Sequence, residues 1–366
     1  MSGSLWESDL LKGTAIPTEL LERLPKVDVH IHLDGSLRFE TFAELSQAQG
    51  VALPGGSVDA ARALFAGNGG AGDLASYLEL FDPLLAVLQD ANSLRRVARE
   101  LIEDCAAENV RHAEIRFSPS QHTTQDLDVA AAVQAVLDGI REGRELTGIS
   151  AGLIITGVRQ RGGAKTHELA KLTVRFKREG VIGFDLAGVE PDNPAKDHLE
   201  AFYEIRDHNI NCTVHAGEAF GPESIHQAVH YLGAHRIGHG TRLLEDSSLA
   251  RYVADHRIPI EVGLSSAART GSVSTVGEHP LRRFLALGIR VTLTTNNRLL
   301  LANSLTHELR LAADTFDLTL LEIENLVLAG FKSAFLPQKE RTALLRQTVG
   351  EFNALRKQFG LVMGDE

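Results

Sequence analysis

His30 and His32 stand two residues apart in the apolar run Val27–Leu33, VDVHIHL. In an extended strand residues i and i+2 share a face, so both imidazoles point the same way. His215 ends a second short run, Asn211–His215, and His239 lies at the end of a third, Arg236–Gly240. Neutral imidazole nitrogens suit zinc at about 2.0–2.1 Å, and a catalytic zinc keeps one position open for water. Four histidines from three strand ends are therefore candidates for one metal site. Glu218 follows His215 by three residues, just past that strand end, where a carboxylate can take a proton from a metal-activated water and pass it to a leaving group. The bland alternative is an acid before a helix over Pro222–Leu232, where the macrodipole favours it.

These residues need a frame. Short β-branched runs occur at Val27–Leu33, Val110–Phe117, Ser150–Gly157, Val181–Leu186, Asn211–His215, Arg236–Gly240, Ile258–Val262 and Arg290–Thr294. Helical patterns separate them, among them Asp90–Ala107, Leu127–Arg144, His167–Glu179, Ala195–Asp207 and His279–Leu287. Eight β-then-α units predict a (β/α)8 TIM barrel in the α/β class, with its active face beyond the carboxyl ends of the strands. Those ends read HLDG, RFSP, TGVR, LAGVE, HAGE, GHG, LSS and TTNN, so polar and glycine residues gather on the predicted active face. The whole chain, 1–366, reads as one barrel domain. Residues 36–108 form a helical lid insertion after the first strand, with a Gly-rich stretch at Gly67–Gly72 and a helical stretch over Tyr77–Leu88. Extra helices follow the eighth strand over Ser304–Asp314, Leu320–Leu328 and Pro337–Gln358, enough to finish the ring and cover its lower face.

The net charge of −11 argues against a nucleic acid partner and for a small-molecule ligand. Two cysteines in 366 residues make neither a disulfide framework nor a CxxC zinc pair. Neither a secretory signal nor an apolar run of the roughly 20 residues that span a bilayer is seen. The expectation is a cytoplasmic protein with no membrane partner; its oligomeric state is not readable.

At these residues the chain resembles the adenosine deaminases of the metal-dependent amidohydrolase superfamily. The resemblance rests on LPKVDVHIHLDGS at Leu24–Ser36, EIRFSP at Glu114–Pro119, GFDLAGVE at Gly183–Glu190, VHAGE at Val214–Glu218, RIGHGT at Arg236–Thr241 and HP at His279–Pro280. It implies that His30, His32 and His215 hold one zinc per chain, that Glu218 shuttles a proton to the purine ring, and that His239 orients the attacking hydroxide. His32, Asp34, Gly188 and Asn297 would meet the substrate, Gly188 through its backbone against the purine and Asp34 at the ribose. The implied reaction is attack of zinc-bound hydroxide on C6 of adenosine or a related 6-aminopurine, releasing ammonia.

Two stretches depart from the family pattern. The eighth strand typically ends in two aspartates and a proline, or in Asp-Asn-Arg in some bacterial members, where this chain has Asn296, Asn297 and Arg298. The seventh-strand run Cys-Pro-x-Ser-Asn is replaced by Gly263–Ala267, GLSSA. Asn296 offers only a neutral carbonyl oxygen, so it is expected to be a weak fourth ligand or none, and zinc affinity should fall. A different hydrolytic chemistry or substrate, or a non-catalytic nucleoside binder, stands as the alternative. The survival of HxH, HAGE and GHG favours an enzyme.

Overall fold

The computed structural model describes residues 11–66, 72–124 and 126–361. Eight strands, β1 (Lys26–His32), β2 (Val110–Phe117), β3 (Ser150–Val158), β4 (Val181–Ala187), β5 (Asn211–Ala216), β6 (Arg236–His239), β7 (Ile260–Val262) and β8 (Val291–Leu293), pair in chain order, each parallel to the next. Beyond β8, Asn296 bridges to Ile31 of β1. Asn296 N donates to His30 O at 3.0 Å and His32 N donates to Asn296 O at 2.8 Å, which joins the last strand to the first. The expected (β/α)8 barrel is what forms. Most strand boundaries shift from the expected runs by one or two residues, and two of the shifts have a local reason. Gly240 turns out of β6 with φ +60°, and Pro259, which has no N–H for a ladder, shifts the start of β7 to Ile260.

Val, Ile and Leu at β1–β8, all but Val158 and Ile182, are buried, on both faces of the sheet, as a parallel sheet covered by helices requires. The barrel axis is different. Arg116, Glu114, Arg236 and Glu261 are all fully or almost fully buried there. Arg236 meets Glu261 at 2.5 Å and Glu114 at 2.6 Å, and Arg116 meets Glu261 at 3.0 Å and Asp185 at 3.3 Å. Such a buried array is tolerable because each charge has an opposite partner. The ring of Phe335 lies over the Arg236 guanidinium at 3.5 Å and floors the barrel.

Between β1 and β2 lie helices at Phe39–Gln49, Val58–Phe65, Leu74–Glu79, Asp82–Ala86 and Ala91–Ala107. The helical stretch expected over Tyr77–Leu88 is two short helices, because Pro83 near the second helix's start suits a first turn and not a continuous helix. Most of the Gly67–Gly72 stretch, residues 67–71, lies outside the described residues. After β8 come helices at Leu305–Phe316, Leu320–Ser333 and Gln338–Gln358. Leu320–Ser333 packs on the barrel so closely that a Cβ at Gly330 would come within 2.7 Å of both Thr292 and Val27. Its start is secured by a capping box between Thr319 and Glu322. No helix among the described residues is long and apolar enough to cross a membrane.

The fold carries an acid liability. Burial holds His122 and His198 down to about 4 and His239 and His279 to about 3. Unfolding frees each to bind a proton near its ordinary pKa of about 6.5. Between pH 6.5 and those folded values the unfolded chain binds more protons, so stability falls as pH falls through that window. At pH 5 each fully depressed histidine costs roughly 2 kcal/mol relative to pH 7. Burial raises Asp28 and Asp34 to about 6, which offsets part of this loss, and the urea midpoint of the metal-free protein is expected to drop from pH 7 to pH 5 by the remainder. A flat profile would contradict this account.

Candidate active site

β1 delivers His30 and His32 to the carboxyl-terminal mouth on one face of the strand. His30 Nε2 lies 3.2 Å from His32 Nε2, which lies 3.2 Å from His215 Nε2 at the end of β5. The outer nitrogens of two of these rings are spoken for. His30 Nδ1 is 2.7 Å from Glu261 Oε2, and His215 Nδ1 is 3.1 Å from Asp185 Oδ1. Burial by itself would raise both carboxyls. For Glu261 the neighbouring Arg116 and Arg236 outweigh it and hold the group at about 2; for Asp185, His215 and Arg116 hold it well below the usual carboxylate range. Ionised carboxylates accept only, so each fixes Nδ1–H on its histidine and turns the Nε2 lone pair inward. Burial and neighbouring positive groups keep His30 and His32 neutral.

His32 Nε2 can donate a proton to one neighbour at most, so at least one of the two 3.2 Å contacts sets lone pair against lone pair. A cation resolves that conflict. Ligands at 2.0–2.1 Å in a tetrahedral set are separated by about 3.3–3.4 Å, close to the spacing seen, so these three nitrogens fit a divalent transition metal. His239 completes the cluster, with ring nitrogens of His30, His215 and His239 all within 4.8 Å of one another.

The eighth-strand end shows what the asparagines do. Asn296 Nδ2 donates to Ser266 Oγ at 2.7 Å, and its Oδ1 accepts from Asn297 Nδ2 at 2.9 Å. Both polar atoms of the Asn296 side chain are thus engaged within the protein. Its backbone sits at φ +62°, a left-handed conformation that asparagine tolerates better than most residues. Asn297 Oδ1 is buried without a partner. A Cβ at Gly35 would fall 2.0 Å from that oxygen, so glycine in the HLDG turn is what admits Asn297. Arg298 turns to a partly buried ion pair with Glu108.

A cavity of about 220 Å³ opens over this cluster, walled by His32, Asp34, Gly188, His215, Glu218, His239, Asn296 and Asn297 from the barrel, by Leu74, Tyr77 and Leu78 from the Leu74–Glu79 helix, and by Phe81 in the turn that follows it. Glu218 is 6% exposed, and burial raises its carboxyl above the usual range against the opposing pull of His215 and Thr270. Its Oε2 is 3.5 Å from His239 Nε2. Asp34 is likewise raised by burial, to about 6, and its Oδ1 has no partner. Gly188 sits at φ +107°, and a Cβ there would approach Gln160 Oε1 to 2.1 Å.

Every residue singled out from the sequence lines this cavity except His30, which lies just beneath it. Several others could not be singled out. Glu190 accepts from Gly217 N at 2.9 Å, Glu218 N at 2.8 Å and Ala219 N at 2.9 Å, fixing the turn that carries Glu218. Its signal was present in the same GFDLAGVE run. Glu190→Gln replaces one acceptor oxygen with a donor facing backbone N–H groups and should let Glu218 drift. A misplacement of about 1 Å costs on the order of 10²-fold, so kcat is expected to fall by about that factor with KM within a few-fold. Unchanged kcat in steady-state kinetics would remove Glu190 from this role.

A parallel barrel whose mouth carries an HxH pair, two further strand-end histidines and an adjacent carboxylate is an amidohydrolase-type barrel. The chain belongs to the adenosine deaminase family, whose model matches residues 25–350. It is 39% identical over 353 residues to an adenosine deaminase of Mycolicibacterium gilvum, covering 92% of this chain and 97% of that protein. Among solved structures it is similar to an amidohydrolase from Burkholderia ambifaria with bound Zn, at 25% identity and a TM-score of 0.86, covering 98% of this chain and 100% of that one. It is also similar to Arabidopsis ADAL complexed with IMP, at 27% identity and a TM-score of 0.81, covering 91% and 98%.

Proposed function

We propose that this chain is a metal-dependent hydrolase that deaminates a purine nucleoside or related 6-aminopurine at C6. Water replaces the amine, the C6–N bond breaks and ammonia leaves. The observation that carries the reading is the convergence of three imidazole Nε2 atoms beside a buried carboxylate at the base of one cavity. One zinc per chain, held by His30, His32 and His215, would supply Lewis acidity that makes water nucleophilic near neutral pH. Asn296 brings no charge to it.

The remaining work belongs to the protein. Glu218 takes the proton from the attacking water and delivers it toward the purine ring and the departing amine, and its raised pKa suits a group that must hold that proton in mid-reaction. The backbone at Gly188 gives a flat base a close approach. Asp34 Oδ1, buried and unpaired, accepts from a sugar hydroxyl, and Asn297 Oδ1 accepts from the base. The segment bearing Tyr77 and Phe81 acts as the lid and excludes water. Among the described residues no Lys or Arg lines the cavity. That favours a nucleoside or base over a monophosphate such as the IMP held by the Arabidopsis relative. The net charge of −11 sets polynucleotides aside, and two buried free cysteines suit a reducing cytoplasm.

The test is ammonia release from adenosine, deoxyadenosine, adenine, N6-substituted nucleosides and AMP, run with zinc analysis of the same preparation. Turnover of a nucleoside, with AMP at least ten-fold poorer, is expected. A second reading, a nucleoside binder without turnover, is favoured by the engaged side chain of Asn296 alone; saturable adenosine binding with no ammonia released from any of these compounds would establish it.

A further inference from the structure

The side chain of Asn296 leaves a gap that another residue is placed to fill. His239 also holds a left-handed backbone, φ +66°, at the end of β6, and that conformation swings its imidazole over the barrel axis. Its ring centroid is 5.4 Å from that of His30 and 5.1 Å from that of His215. The three rings already assigned to the metal stand at 5.1, 4.6 and 5.2 Å from one another, so His239 lies at nearly that spacing from His30 and His215, and its ring nitrogen is within 4.8 Å of theirs. Among the described residues neither ring nitrogen of His239 makes a hydrogen bond, and its nearest carboxylate oxygen, on Glu218, is 3.5 Å away. Asn296, by contrast, has its amide nitrogen on Ser266 and its oxygen under Asn297.

We propose that in this chain His239 is a metal ligand, completing an all-imidazole set with His30, His32 and His215 in the place where Asn296 contributes nothing. The proposal rests on the reading of the cluster as a metal centre. A neutral four-nitrogen set keeps the full charge of the ion, and it favours zinc, copper, nickel or cobalt over the oxygen-seeking magnesium and manganese. It also changes the work of the residue: a nitrogen given to the metal is not free to orient water, which leaves the handling of that water's proton to Glu218.

X-ray absorption of the full-length protein loaded with zinc counts imidazoles directly, through their characteristic multiple scattering. Four are expected in the wild type and three in His239→Ala, with zinc affinity measured by chelator competition at least ten-fold weaker in the variant. Three imidazoles in the wild type, or an unchanged affinity in His239→Ala, overturns the proposal while leaving the metal centre intact. Failure of the wild type to bind any metal at stoichiometric zinc overturns the metal centre itself. The count on the wild type decides the matter even where the variant does not fold.

Discussion

Glu218→Gln is expected to lower turnover by on the order of 10²–10⁴-fold, the usual contribution of a general acid or base, while nucleoside affinity changes less than about three-fold. The substitution is nearly isosteric, so the cavity wall keeps its shape. The backbone of the turn is held independently of this side chain by the three bonds to Glu190 and by Ser272 Oγ, which donates to Glu218 O at 2.9 Å. What disappears is the ability to hold a proton, which matters at the transition state and little in the ground state, so the loss falls on kcat and not on KM. The amide also removes a buried acid whose ionisation the site opposes, so the folded variant should be at least as stable as the wild type. Steady-state kinetics with parallel binding by calorimetry measure both halves. A variant that retains more than half its turnover would falsify the proton-transfer role, and one that loses affinity in proportion would make Glu218 a binding residue instead.

The division between what the sequence disclosed and what it hid follows from the range of the interactions. Parallel strands buried on both faces read as short apolar runs, and their polar ends fall next to those runs, so His30, His32, His215 and His239 and the barrel were legible from local pattern. Glu261 and Arg116 were not. Each sits inside a strand, where a charge reads as an interruption, and their contact joins residues 145 positions apart. Only closure of the barrel turns Glu261 toward His30 and Asp185 toward His215. The same holds for Tyr77, whose place over Asn297 is set by how the segment after β1 folds back across the mouth. Asn296 could be recognised as the wrong residue for a charged ligand, yet nothing local showed that its oxygen would be taken by its own neighbour, Asn297.

That arrangement makes Asn296→Asp the substitution with the largest expected gain. The left-handed backbone accepts aspartate almost as readily as asparagine. Asn297 Nδ2 can still donate to the new carboxylate, and Ser266, now facing an acceptor, can turn its hydroxyl to donate, so no buried group loses a partner. An anion then stands among four neutral imidazoles, and zinc affinity should rise by about ten-fold or more. In the metal-free protein the same carboxylate would be a buried charge in the cavity that Glu218 also lines, which should lower the melting temperature of the apo form and widen the stabilisation that zinc provides. With an anionic ligand present, His239 is released toward the water position beside Glu218, and adenosine turnover is expected to increase at least ten-fold. Chelator competition, thermal melts with and without zinc, and ammonia release resolve the three effects separately. Unchanged zinc affinity would mean that the side chain at 296 does not face the metal. Tighter zinc with no gain on adenosine would place the selection elsewhere, in the Gly263–Ala267 turn that positions Ser266, because the charge at the metal would then have been restored without restoring the fit of the base.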